Sequence, residues 1–244
     1  MHRLAAVPGL PSGLEDTPFV EQDSTPLLVL SSSDTDLQTL AAALAQQPEA
    51  APVRGLNLAA LAAPAVLDHY IATSLLNTRV VLVRLLGGRG HWSYGLEQLR
   101  AWADRQPGRQ LIVAAGTADE ELELASTGNT PLELAVAISR CLRLGGGENL
   151  RRVLDTMQTL AAGQAATAPV PLPLADPLPH DWRAEPGARV GVILYRALLQ
   201  AGDDQLATAL LQALRGQGLC PRALWVSGLR DPAVQQGVAD LLAR

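Results

Sequence analysis

Apolar residues recur along the chain with two alternating periods. Pro26-Leu27-Leu28-Val29-Leu30 is a short continuous apolar run, followed by Ser31-Ser32-Ser33-Asp34. This predicts a buried strand that enters a loop rich in helix-capping side chains. Leu37, Leu40, Ala41 and Leu44 then fall at helical spacing, and Pro48 and Pro52 close that helix. A second strand is expected over residues 53–58. Pro64 opens the next helix at its first turn, with Leu67, Tyr70, Ile71, Ser74 and Leu75 sharing one face. Residues 79–86, Arg-Val-Val-Leu-Val-Arg-Leu-Leu, carry the clearest strand pattern in the chain. Its unbroken apolar character suits a central parallel strand buried on both faces. Gly87-Gly88-Arg89-Gly90 ends it. A helix from about Ser93 to Arg105 groups Leu96, Leu99 and Trp102, and Gln110–Ala114 forms the next strand before Gly116.

Beyond Gly116 the strand period disappears. Thr130-Pro131-Leu132-Glu133 resembles a capped helix start, and Leu134, Ile138, Cys141 and Leu142 continue its apolar face to Gly145-Gly146-Gly147. A further helix over about 148–162 carries Leu150, Val153, Leu154, Met157 and Leu160, and the two fit a hairpin beside the sheet. Asp119-Glu120-Glu121-Leu122-Glu123 reads as a solvated helix start favoured by the helix dipole. Prolines at 169, 171, 173, 177, 179 and 186 make the next stretch an extended crossing segment, excluded from sheet and helix alike. After it come a strand over 190–195, a helix over about 204–217, a strand over 223–226 and a helix over about 232–243. The expected organisation is α/β throughout. A parallel-sheet, Rossmann- or flavodoxin-like domain with a helical pair spans 1–166, and a Pro-rich linker spans 167–188. Residues 189–244 form the start of a second α/β module. Two parallel strands make a poor core alone, so that module calls for further strands.

Composition narrows the function classes. The chain has 244 residues, 48% hydrophobic and 18% charged, with a net charge of −5. That suits a globular core and lacks the basic excess of a nucleic-acid binder. All 19 basic side chains are arginine, so a phosphate loop of the form GxxxxGK[ST] is impossible. Cys141 and Cys220 are far apart, which suggests neither a zinc site nor a disulfide framework and fits a reducing cytoplasm. His2, His69, His91 and His180 are scattered without metal-ligand spacing, and His69 reads as a surface residue. The N-terminal stretch is too short and broken for a signal peptide, and no run is long enough to span a membrane. The expectation is a cytoplasmic protein with no metal site of its own.

Candidate site residues lie where strands end, because ligands of parallel α/β sheets sit at the carboxyl ends of strands. Gly87-Gly88-Arg89-Gly90 fits a plain turn, or backbone amides offered to an anion. His91-Trp92-Ser93-Tyr94 follows it, and Arg84 nears the same end of its strand. Trp92 fits either a ligand face or the core, and His91 either a site or a solvated loop. Tyr195-Arg196 holds the analogous place in the second module, with Gln200 and Asp203 after it. Ser227 and Asp231 flank the next strand, where either would also cap the helix near Pro232. A cleft with both sets of strand ends facing it would be a natural site.

Two stretches carry a family resemblance. Residues 81–99, from Val81 through Gly87-Gly88-Arg89-Gly90-His91-Trp92-Ser93-Tyr94 to Leu99, form one block. Leu194 to Gly202, with Leu219-Cys220-Pro221 and Val226-Ser227-Gly228-Leu229-Arg230-Asp231-Pro232, form the other. Both are similar to the N-terminal part of the large subunit of aerobic cobaltochelatase, the CobN family, and more distantly to the magnesium chelatase large subunit. This chain departs at His91, Gly228 and Arg230, where the family more often has Tyr, Ser and Lys. The resemblance implies ATP-dependent insertion of cobalt(II) into hydrogenobyrinic acid a,c-diamide, with ATP and Mg2+ handled by an AAA+ motor and an accessory subunit. Arg84, His91, Trp92, Tyr94, Tyr195, Arg196 and Gln200 would then contact the corrinoid, through arginine–carboxylate pairs and aromatic cover. The catalytic residues are expected beyond Arg244. Two other readings stay open: a binding module for a small anionic ligand, and a docking surface for the motor subunits.

Overall fold

The computed structural model describes residues 19–45, 51–200 and 203–243. The N-terminal stretch with His2, the helix stop at Pro48, the Ala201-Gly202 pair and Arg244 lie outside the described residues. After Leu172 the chain passes from one compact unit into a second.

The first unit runs β1 (Leu27–Ser31), α1 (Asp34–Ala45), β2 (Val53–Asn57), α2 (Pro64–Ser74), β3 (Val80–Leu85), α3 (Ser93–Asp104), β4 (Gln110–Ala115), α4 (Glu121–Ala125), α5 (Leu132–Leu144) and α6 (Gly147–Ala161). Its strands form a parallel sheet in the order β2-β1-β3-β4. Successive residues of a strand face opposite sides, and each side here meets its own helices. Leu27, Val29, Val80, Leu82, Ile112 and Ala114 pack against α1, α5 and α6. Leu28, Leu30, Val81, Val83, Leu111 and Val113 pack against α2 and α3. Both faces of β1, β3 and β4 are covered, which is why these three strands read as mainly apolar runs. Each such Leu or Val contributes roughly 1.5–3 kcal/mol of burial.

Two local expectations for this unit need correction. Thr130 does not cap α5; its hydroxyl donates to Leu111 O at 2.9 Å, and Pro131 holds the cap position without a side-chain bond. The acidic start of α4 is not wholly solvated. Glu121 is 6% exposed and pairs with Arg143 at 2.8 Å and Arg140 at 3.3 Å. Two arginines from α5 draw that carboxylate inward, where a helix dipole alone would have left it in water.

The second unit contains β5 (Leu178–His180), β6 (Arg189–Tyr195), α7 (Arg196–Gln200), α8 (Gln205–Gly216), β7 (Cys220–Val226) and α9 (Pro232–Leu242). Its sheet has the order β5-β7-β6, with β6 parallel and β5 antiparallel to β7. The proline-rich segment therefore does pair, contrary to expectation. Pro179 is tolerated because β5 is a three-residue edge strand, where a missing N–H costs no ladder bond if it faces outward. Asp231 caps α9, accepting from the Ala233 N–H at 2.8 Å.

Candidate functional site

In the first unit β1 leads to β2 on one side, and the chain then crosses back over β1 to β3. That reversal opens a crevice between the carboxyl ends of β1 and β3, the usual ligand position in this architecture. The loops that border it are Ser31-Ser32-Ser33 and Leu86-Gly87-Gly88.

The serine loop is bonded across to β3. The Leu86 N–H donates to Ser32 Oγ at 2.9 Å, and the Ser32 N–H to Arg84 O at 3.2 Å. The Ser33 N–H donates to Ser31 Oγ at 3.0 Å, and Ser31 Oγ donates to Asp36 Oδ2 at 2.5 Å. The other Asp36 oxygen accepts from Arg84 Nη1. Both members of this ion pair are sequestered, with side-chain exposures of 14% for Arg84 and 17% for Asp36. Arg84 is thus already engaged by a carboxylate of its own chain. At the end of β2, Asn57 Nδ2 donates to Asp34 Oδ1 at 2.6 Å, and its carbonyl caps the 3-10 turn Leu58–Leu61.

On the β3 side the chain turns through Gly87 and Gly88, both at positive φ. A side chain at Gly87 would also strike the His91 ring, whose nearest atom lies 2.7 Å from the position of a Cβ. Trp92 is half-buried. Its indole Nε1 donates to Leu61 O at 3.4 Å, and its ring lies over Gly95, where a Cβ would come within 2.2 Å. His91 and Trp92 thereby form the lip of a slot of about 100 Å³, walled by Leu58, Ala59, Ala62 and Leu86, with Ser32 beside them. Tyr94 turns elsewhere: its hydroxyl donates to Asp68 on α2 at 2.9 Å, which raises the phenol above its ordinary range. Of the four candidates in this unit, the structure brings His91 and Trp92 together on one slot. Arg84 is held by α1 and Tyr94 by α2.

The second unit repeats the device. Tyr195 ends β6 and is 60% exposed. Arg196 begins α7 with a side chain 11% exposed, lying 3.5 Å from Asp176 and donating to Ala175 O at 3.3 Å. Asp176 also accepts from the Ser227 N–H at 3.2 Å, so it joins the ends of β6 and β7. Gln200 closes α7, half-buried. Asp34, Asp36, Asn57 and Asp176 hold these strand ends, and sequence reading did not single out their roles. The signal that was available is Ser-Ser-Ser-Asp directly after the first strand. Among the described residues, no three His, Cys, Asp or Glu side chains gather as a metal ion would require. No helix among them is long and apolar enough to cross a membrane.

No family model matches the chain. It is 33% identical over its whole length to the aerobic cobaltochelatase subunit CobN of Pseudomonas aeruginosa, and 28% identical over 99% of its length to CobN of a Sinorhizobium species. It spans 20% of the length of each. Its fold is similar to the catalytic subunit of cobaltochelatase from Mycobacterium tuberculosis, with a TM-score of 0.62 and 25% identity. That match covers 88% of this chain and 17% of the other. By its similarity to these subunits along its full length and its similar fold, the chain belongs to the CobN family of cobaltochelatase subunits.

Proposed function

We propose that the chain is the N-terminal head and linker of a CobN-type subunit. In this reading it helps hold hydrogenobyrinic acid a,c-diamide while the complete complex inserts cobalt(II), the metal substrate, in cobalamin synthesis. The observation that carries the reading is the 33% identity to a CobN subunit along the entire chain.

The geometry supports a contact role. Whole-ligand pockets occupy some 300–1,000 Å³, and the His91–Trp92 slot offers about 100 Å³. It has room for one peripheral alkyl group of the corrin, with the Trp92 indole laid against the ring. Arg84 and Arg196 brace their strand ends through Asp36 and Asp176 and leave ligand contact to the aromatics beside them. Tyr94 and Tyr195, both exposed, offer amphipathic contact of the kind that suits an apolar ring with polar side arms. Gln200 adds an amide near Tyr195. ATP and Mg2+ fall to partner subunits, including an AAA+ motor, in keeping with a lysine-free chain that has no phosphate loop.

The test is an ultraviolet–visible titration of the chain with hydrogenobyrinic acid a,c-diamide. A saturable spectral shift is expected, with affinity reduced at least tenfold in Trp92→Ala. In the complete chelatase the same change should raise KM and leave kcat nearly unaltered. An unshifted spectrum, together with normal chelation by the Trp92→Ala/Tyr195→Ala subunit, would discard the site.

A further inference from the structure

A second recess lies away from the serine loop, between the carboxyl-terminal halves of α2 and α3. It encloses about 340 Å³. One wall is apolar, from Ile71, Leu75 and Leu76 of α2 and the residues just after it. Leu76 is 66% exposed. The other wall is Trp102, Arg105 and Arg109.

Three observations single out this wall. First, Trp102 lines the recess yet is 2% exposed, so its indole is a fixed wall there. Second, the Arg109 guanidinium lies over that indole, 4.6 Å from the ring centroid, and donates to Trp102 O at 3.2 Å. Third, among the described residues neither Arg105 nor Arg109 meets a carboxylate, whereas Arg100, one turn earlier, pairs with Asp104 at 2.9 Å. Burial, and then the neighbouring charges of Arg79 and Arg105, push the Arg109 guanidinium below its usual range. The acid that does line the recess, Asp68, stands at its far end. Both its oxygens accept from Tyr94 in the first turn of α3, ten residues before Asp104 and about 15 Å from that end along the helix axis.

We propose that this recess binds a small organic carboxylate. Its carboxylate would sit between Arg105 and Arg109, over the Trp102 indole, and its short aliphatic body against Leu75 and Leu76. Guanidinium pairs suit the planar geometry of a carboxylate. The volume is at the lower end for ligand sites and fits a body of a few carbons, far smaller than a corrin. The site is separate from the His91–Trp92 slot and stands or falls independently of it.

Hexanoate is the probe, followed by 1H–15N NMR of the whole chain at neutral pH. Inorganic phosphate and hexanol serve as probes with charge alone and with the apolar body alone. Trp102→Phe identifies the Trp102 indole signal. Hexanoate should shift that signal saturably, at least tenfold more tightly than phosphate or hexanol. Arg105→Gln/Arg109→Gln should weaken binding at least tenfold. Leu76→Asp, at an exposed position that the fold does not need, should do the same. The proposal is overturned by an indole signal that hexanoate leaves in place, by phosphate or hexanol binding as well as hexanoate, or by unchanged binding in Arg105→Gln/Arg109→Gln or Leu76→Asp.

Discussion

At the residue scale, the most consequential group is the Arg84–Asp36 pair. Arg84 Nε is itself buried without a partner, so the guanidinium depends on Asp36 for its compensation. Removing one partner of a buried pair typically costs 3–5 kcal/mol, while replacing both with apolar residues is often near neutral. Asp36→Ala should therefore destabilise the first unit by about 3 kcal/mol, and Arg84→Met/Asp36→Leu by much less. Urea unfolding of the single and double variants checks this; equal losses would mean that the pair does not act as a unit. Tyr70 gives a prediction in pH. Burial raises its phenol to about 12, with Arg54 opposing weakly, and its hydroxyl donates to Gln22 at 2.7 Å. The folded state thus holds a proton that the unfolded chain releases near pH 10. The stabilisation is complete below pH 10 and is lost as pH climbs from 10 to 12, a fall of about 3 kcal/mol at most. The urea midpoint should drop across that window. Tyr70→Phe should make the drop shallower without abolishing it, because Asp68 raises Tyr94 in the same direction.

At the scale of elements, Gly95 decides how the β3–α3 turn is built. A methyl group there would overlap the Trp92 ring. Gly95→Ala is a favourable change in a bare helix, yet here it must push Trp92 off the turn at a cost of roughly 1–3 kcal/mol. A lower thermal midpoint with red-shifted tryptophan emission is expected; a higher midpoint would show that the ring has room to move. The same element shows what the sequence could reveal. Strands β1, β3 and β4 are legible to within a residue because both their faces are buried, so their central residues are almost all apolar. β5 was hidden because three residues around Pro179 carry no period at all. The Arg84–Asp36 contact was hidden for another reason: its members are 48 residues apart and meet only because β1 and β3 are neighbours. Trp92 was legible as a candidate by its place after a strand, but its seating on Gly95 needed coordinates.

At the scale of the whole molecule, the helix faces of the first unit fit crossovers of a single hand, which the general rule makes right-handed. In the first, α1 lies on the Leu27–Val29 face; when the chain reverses across β1, α2 appears on the opposite face, and α3 stays there as the chain moves on to β4. In the second unit α9 packs on the Leu224–Val226 face of β7. Ala207 and Leu211 of α8 are buried outside that cluster, so α8 covers the other face, where Ala223 and Trp225 are fully buried. Helices on opposite faces mean that the path reverses after β7. The outer edge of β7 is already taken by β5, so the next parallel strand belongs beside β6. β6 looks prepared for one: it is apolar from Val190 to Tyr195, yet Ile193 is 45% and Tyr195 60% exposed. It also lacks the lysines and prolines that protect natural edges. In the longer CobN subunits, the polypeptide after α9 is therefore expected to lay a strand parallel to β6. Hydrogen exchange can decide the point. The β6 amides that face away from β7 should exchange rapidly in this chain and slowly in the longer subunit. Rapid exchange in both would leave β6 a true edge and break the handedness argument.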